Sequence, residues 1–521
     1  MNHFPIITFL TFIPVAGALV LFALRRSASS HVARAVALVF SLAALACAIV
    51  LWANFDSGAS SQMQFESSHP WIPSIGVDYH VGVDGLGVLM VLLAALVAPI
   101  AILASWRNEE KVPTYYAMVL LLQSGLFGTF TALNFFHWFI FWELSLIPAF
   151  FLIKLWGGPE RSVAATQFFV YTMVGSVAML LSFLAIYHAA GTFDFKELAE
   201  QGSSGELASK LNIYVTGWPL LTRNELPLLI FAGVFLGFAV KVPLIPFHTW
   251  LPAAYSEAPT GTTMLLTGVM SKMGVYGFLR ILMPIFPDQM RMVLTPLLWL
   301  AVATIVFSAC AAFAQRDLKR VFAYSSINHL GYCLLGIFAI AKFTGGEASW
   351  SNEKAAALNG VMLQMFNHGL TAPILFCFVG FLEQRSGGLR GVEQFGGLRK
   401  VAPIFCGLMG ISIFASLGLP GLNGFIGEFL IFKGSFPLAT WATALSVIGL
   451  LVTAIFLLTV IQRVFNGPLN IKWNGLGDLT WRERFLVLPA TGLMLLIGLY
   501  PQLLIAKINP TVIQMVDQLK F

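Results

Sequence analysis

Long apolar runs separated by short polar joints organise almost the whole chain. About 20 apolar residues in helical conformation span a hydrocarbon core, at 1.5 Å rise per residue. The runs predict helices near 4–24, 32–53, 84–105, 114–133, 134–156, 162–189, 227–251, 259–283, 291–313, 322–341, 355–383, 402–434, 438–465 and 485–508. The narrowest division lies at Leu133-Asn134. The first run is followed by Arg25 and Arg26 rather than preceded by basic residues, so it reads as a retained helix and not a cleaved leader. The longest polar interruption, Gly191 to Asn224, carries Phe193, Phe195, Leu198 and Leu207 and predicts a short surface helix.

Composition agrees with this pattern. Of 521 residues, 58% are hydrophobic and 10% charged, against about 25% charged in soluble domains. That excludes a cytosolic globular enzyme, a disordered chain and a nucleic-acid binder, and makes the lipid bilayer the surrounding medium. The net charge of +6 sits in clusters between the runs, as topology signals do. With the N-terminus outside, the inner joints hold eighteen Lys and Arg and the outer joints ten, among them Arg223 and Lys520. Fourteen spans then leave both termini on the periplasmic side of a bacterial inner membrane. The five cysteines, Cys47, Cys310, Cys333, Cys377 and Cys406, lack the close spacing of iron–sulfur, haem or zinc attachment. Neither a metal nor a cofactor site is expected in this chain.

Ionisable residues inside apolar runs cost about 2.5–3.5 kcal/mol each at a helix centre. Six stand out: Glu143, Lys241, Lys272, His329, His368 and Glu428. Lys241 lies in GFAVKVPLIPFHTWLP, where Pro243, Pro246 and Pro252 withdraw partners from the carbonyls of Ala239, Val242 and His248. Glu428 follows a second interruption, Gly418 to Gly424, in SLGLPGLNGFIGEFL. Broken helices are tolerated at membrane depth only inside protein or along a hydrated cavity. Two of them, each with an ionisable group, point to an ion site between repeated halves. The breaks are five runs apart, and an odd offset inverts orientation. The expected architecture is therefore an all-α polytopic membrane protein of about fourteen helices, with two inverted five-helix repeats that each contain a broken helix. Its parts are 1–110 (three helices), 111–290 (first repeat), 291–466 (second repeat) and 467–521 (last helix).

The stretches FFHWFIFWELSLIPAFFLIKLWGG, KVPLIPFHTWLPAAYSEAPT, KMGVYGFLR, QRDLKRVFAYSSINHLGY and SLGLPGLNGFIGEFL, in this order, resemble the antiporter-like membrane subunits of respiratory complex I. Glu428 resembles the M type, since L- and N-type subunits and cation/proton antiporter subunits typically carry Lys there. The resemblance implies a proton channel in a redox-driven pump, the proton-translocating NADH:quinone oxidoreductase. It implies L- and N-type neighbours, with FMN, iron–sulfur clusters and quinone held by partner subunits. It assigns Glu143 and Lys241 as a coupled pair, Lys272 as central relay, His329 and His368 as bridges, and Glu428 as the exit-side group. Where the family usually has Asp and His, this chain has Ala253 and Tyr255, which leaves Glu257 as the carboxylate for proton uptake. Similar subunits occur in multi-subunit Na+/H+ antiporters, membrane-bound hydrogenases and the photosynthetic complex I-like enzyme, and these remain the alternatives.

Overall fold

The computed structural model describes residues 5–27, 29–59, 62–213, 225–342 and 350–518. Phe4, Arg223, Lys520 and the end of the Gly191–Asn224 joint lie outside the described residues. The chain is almost entirely helical. It begins with α1 (Ile6–Ala23), α2 (Ser30–Asn54), α3 (Gly85–Ala104), α4 (Val112–Thr131), α5 (Phe135–Trp156) and α6 (Arg161–Ala190). Two short helices, α7 (Phe195–Ser203) and α8 (Glu206–Ile213), occupy the polar joint and bury Phe195, Leu198 and Leu207. Then come α9 (Glu225–Lys241), α10 (Trp250–Glu257), α11 (Thr260–Ile285), α12 (Pro287–Met292), α13 (Leu294–Ala314), α14 (Leu318–Ile340) and α15 (Ser351–Ser386). The last are α16 (Pro403–Ser416), α17 (Asn423–Leu438), α18 (Thr440–Phe465), α19 (Trp481–Leu499) and α20 (Gln502–Gln518).

Among the described residues, ten helices are long and apolar enough to cross a membrane, or eleven if the bent pair α19 and α20 is one span. The expected count of fourteen is not reached on that measure. The other three predicted runs are α4 and the two broken helices, α9 with α10 and α16 with α17. The runs predicted at 227–251, 402–434 and 485–508 are each two helices. In the last, the axis turns by 65° at Tyr500-Pro501, because proline cannot donate to the preceding turn.

The joint between the runs at 32–53 and 84–105 carries structure of its own. It contains an antiparallel hairpin of β1 (Gln64–Ile72) and β2 (Val77–Val83), an addition to a fold that is otherwise the all-α membrane bundle expected. β-branched and aromatic residues alternate only over Val77, Tyr79 and Val81, too short a pattern to read as a strand pair beforehand.

His80 of β2 clasps this hairpin to the α7 end of the bundle. Its Nδ1 donates to Oδ2 of Asp194 at 2.6 Å and its Nε2 to Oε1 of Glu66 at 2.7 Å. Burial disfavours the imidazolium, but the bonds and charges of Asp194 and Glu66 outweigh it and raise the His80 pKa. The folded value thus lies above the unfolded one of about 6.5. The clasp is then fully stabilising below that unfolded value and is lost as pH rises through the folded value. Hydrogen exchange of the hairpin amides should accelerate over that rise, and His80→Gln should flatten the pH dependence.

Helices α11, α14 and α15 are sheathed almost completely by other helices, whereas α2 and α18 expose long apolar faces such as Val39, Ile49, Ile448 and Leu451. A helix apolar all round and enclosed by protein is where a polar group can be held away from lipid. The enclosed three carry Lys272, His329 and His368.

Candidate functional site

The prolines end α9 at Lys241, and the chain stays unwound until Trp250. Two of the three carbonyls expected to lose partners find new ones. Leu244 N–H donates to Ala239 O (2.8 Å) and Leu251 N–H to His248 O (3.1 Å). The indole Nε1 of Trp250 also donates back to Val240 O (3.0 Å). Lys241 is buried at the carbonyl end of α9, where the helix dipole favours a cation. Its Nζ has no hydrogen-bond partner and sits 4.7 Å from the Trp142 ring centroid, a cation–π position. Glu143 follows Trp142 on α5, with Oε1 buried and unpartnered. Glu143 and Lys241 interact electrostatically across this gap. The expected pair is thus coupled by charge but not joined by a hydrogen bond.

Lys272 is fully buried on α11 between two π-helical turns, Leu266–Met270 and Phe278–Leu282. Each wide turn frees backbone groups from the regular ladder, a feature frequent at functional sites. Tyr255 O–H donates to Leu266 O at 3.1 Å, so this departure from the family pattern serves the first π turn. Lys272 Nζ donates to Thr267 O (2.5 Å) and to His368 Nδ1 (2.7 Å), with Ser271 Oγ at 3.4 Å. An ammonium only donates, so Nδ1 of His368 accepts and Nε2 carries its proton.

The His368 ring lies 5.3 Å, centroid to centroid, from that of His329. His329 Nδ1 meets Glu428 Oε1 at 3.0 Å, and Nε2 meets Ser416 Oγ at 3.0 Å. Glu428 Oε1 also accepts from Gln364 Nε2 (3.2 Å). The second break positions this end. Gly418 has φ +78°, and a Cβ there would stand 2.8 Å from Glu428 Oε2, so both conformation and space call for glycine. Asn423, at the start of α17, trades amide-to-carbonyl bonds with Asn367 of α15 (2.7 and 3.2 Å).

All six residues singled out from sequence therefore enter one picture, but unequally. Lys272 bonds to His368 and His329 to Glu428, with the two imidazoles 5.3 Å apart, centroid to centroid, between these pairs, whereas Glu143 and Lys241 stand apart. Ser416 and Gln364 were not anticipated. The usable signals were Gln364 one turn before His368 on one helix face, and Ser416 at the edge of the glycine break. Glu257 is not a free carboxylate, since Oε1 pairs with Arg390 (3.1 Å) and Oε2 accepts from Glu160 N (2.9 Å). Arg390 also pairs with Asp317 and Glu383, and Glu383 with Lys319. Glu257 thus cross-links the α5–α6 turn to a charged cluster near the ends of α14 and α15. It lies at the C-terminal end of α10, and its carboxylate meets the N-terminal end of α6 through Glu160 N–H.

The arrangement is a set of four buried ionisable side chains, Lys272, His368, His329 and Glu428, that ends at the second broken helix. The family described as NADH:quinone oxidoreductase/Mrp antiporter, transmembrane, matches residues 132–455. NADH-quinone oxidoreductase subunit M of Rhodobacter capsulatus is 35% identical over 98% of this chain and 96% of its own length. F(420)H(2) dehydrogenase subunit M of Methanosarcina mazei is 35% identical over 95% of each. A chain of respiratory complex I from Thermus thermophilus superposes with a TM-score of 0.83 at 28% identity, covering 98% of this chain and 99% of that one. A chain of the Mrp complex from Dietzia shares the fold alone, with a TM-score of 0.80 at 19% identity, over 98% of this chain and 99% of that one. With its broken helices, buried ionisable file and near full-length relatives, the chain belongs to the NADH:quinone oxidoreductase/Mrp antiporter transmembrane family, as a relative of its M subunits.

Proposed function

We propose that this chain is the M-type, proton-translocating membrane-arm subunit of an NADH:quinone oxidoreductase. The observation that carries the reading is the series Lys272, His368, His329 and Glu428, with hydrogen bonds at both ends and the two imidazoles 5.3 Å apart, centroid to centroid, in the middle. Electron transfer belongs to partner subunits, which hold FMN, iron–sulfur clusters and quinone, and L- and N-type subunits flank this chain. It sits in the bacterial inner membrane with both termini on the periplasmic side. Residues 111–290 and 291–466 act as inverted halves, with 1–110 and 467–521 packed against them. The breaks at Lys241 and before Glu428, in corresponding places of the halves, support that division.

Moving one proton against about 150 mV takes about 3.5 kcal/mol, at about 2.3 kcal/mol per 100 mV. At 1.36 kcal/mol per pKa unit, a change of about 2.5 in the pKa of one relay group supplies it. The Glu143–Lys241 couple is suited to impose that change. Its members are close enough to feel each other and are not locked by a bond, so a neighbouring subunit can strengthen or weaken their interaction. A weakened couple leaves the Lys241 charge uncompensated and drives the proton on Lys272 toward His368 and Glu428.

The test is to purify the chain with its partners in mild detergent. Flavin- and iron–sulfur-bearing subunits with NADH:quinone activity are expected. Partners limited to small hydrophobic antiporter proteins, with sodium-dependent transport, would overturn the reading. The double variant Glu143→Gln with Lys241→Ala is expected to lower the number of protons pumped per NADH. Unchanged stoichiometry would sink the role of the couple.

A further inference from the structure

The second break does more than carry Glu428, because its two ends grip one imidazole. Ser416 is the last residue of α16, and its Oγ lies 3.0 Å from His329 Nε2. Glu428, on the second turn of α17, meets Nδ1 of the same ring at 3.0 Å. The two ends are pressed together beside Ser416, since a Cβ on Gly424 would stand 2.0 Å from Ala415 O. Glu428 is held in turn from α15, where Gln364 Nε2 donates to its Oε1 at 3.2 Å. A Cβ on Gly427 would meet Gln364 Oε1 at 2.7 Å, so that contact also depends on glycine.

A helical serine does not make the Ser416 bond by default. Other buried serines of this chain return their hydroxyl to the carbonyl one turn back. Ser412 donates to Leu408 O (3.2 Å), Ser326 to Phe322 O (2.9 Å) and Ser446 to Ala442 O (2.8 Å). That local bond is open to any serine in a helix. Ser416, four residues after Ser412 on the same face of α16, instead reaches a residue 87 positions away.

The imidazole between the two ends has little freedom. Its ring lies 5.7 Å from the Tyr332 ring and 5.3 Å from the His368 ring, centroid to centroid, and both its nitrogens are engaged. A neutral imidazole donates from one nitrogen and accepts at the other, whereas an imidazolium donates from both. A carboxylate at Nδ1 only accepts. Nε2 therefore needs a partner that donates to it in one state and accepts from it in the next. A hydroxyl does both by turning about a single bond.

We infer that Ser416 is a positioning residue of the relay, its hydroxyl turning from donor to acceptor as His329 takes up a proton. The imidazole then keeps both hydrogen bonds in either charge state. In this step one proton arrives on Nε2 of His329 and one leaves Nδ1 for the Glu428 carboxylate, while Ser416 keeps its own. The ring ends neutral, with Nε2–H donating to Ser416 Oγ. Without the hydroxyl, that N–H would be a buried donor with no acceptor, the arrangement that protein interiors penalise most. This inference rests on the relay role of His329 proposed above.

The test uses the whole complex in proteoliposomes, with NADH and quinone, measuring the rate of proton pumping and its solvent deuterium isotope effect. Ser416→Ala removes only the hydroxyl, Ser416→Thr keeps it, and Ser412→Ala removes the neighbouring hydroxyl that bonds within its own helix. Ser416→Ala is expected to slow pumping about tenfold, the equivalent of one lost hydrogen-bonding group, with a raised isotope effect. Ser416→Thr should recover most of that loss, and Ser412→Ala should pump at the native rate. Native pumping by Ser416→Ala would overturn the inference. So would an equal loss in Ser416→Thr or Ser412→Ala, or a slowed Ser416→Ala with the native isotope effect, each of which marks packing alone. Native pumping by His329→Ala would instead bring down the relay on which the inference depends.

Discussion

Replacing Lys272 by Ala is expected to abolish proton pumping while the subunit still assembles. Lys272 Nζ supplies the hydrogen bond to His368 Nδ1 and anchors to Thr267 O. Alanine removes that bond to the His368 imidazole. Loss of a positioned proton-transfer group typically costs about 10²–10⁴ in rate. Helix α11 should survive, since Ala is a strong helix former and Tyr255 still caps the first π turn. Lys272→Arg separates charge from proton transfer. Arginine keeps the positive charge but does not release a proton near neutral pH, so Lys272→Arg should also fail to pump. The measurement is acidification of proteoliposomes during NADH oxidation. Native pumping by Lys272→Arg would mean that the buried charge only holds the helices together.

Gly360→Leu is expected to cause the largest structural loss. Gly360 of α15 faces α17 so closely that an added Cβ would stand 2.5 Å from Ile431 N and 2.9 Å from Gly427 O. Those are backbone atoms and cannot rotate away. Overpacking in a close-packed interior costs about 1–3 kcal/mol when side chains can yield, so the cost here should exceed that range. Separating α15 from α17 also separates Gln364 from Glu428 and Asn367 from Asn423, which aligns the file. Small residues at such contacts are what permit close helix approach in membranes. The expected readout is loss of the subunit from the complex on native gels, with Gly360→Ala showing a milder defect. A fully assembled, thermally native Gly360→Leu complex would contradict the packing argument.

Much of this protein was legible in one dimension because the bilayer imposes a one-dimensional rule. Each span must be apolar and about 20 residues long, so the helices of the bundle, the two breaks and the six costly residues stand out from sequence. The hairpin was not legible, since its apolar alternation covers only Val77, Tyr79 and Val81 and it is held by a side chain from a distant joint, His80 to Asp194 above all. The bend after Leu499 was missed for a related reason, because apolar content continues across it while the backbone turns at Pro501.

Sequence alone determined that the chain lives in a membrane, that it carries ionisable groups where these are costly, and that two helices break beside them. Only the tertiary structure decided which of those groups meet. Glu428 and His329 are 99 positions apart and Lys272 and His368 are 96 apart, a separation at which no local pattern specifies contact. The same packing left Glu143 and Lys241 unbonded and tied Glu257 into an ion-pair cluster. The physical reason is that burial cost depends on composition along the helix, whereas hydrogen bonding depends on which faces of neighbouring helices are pressed together.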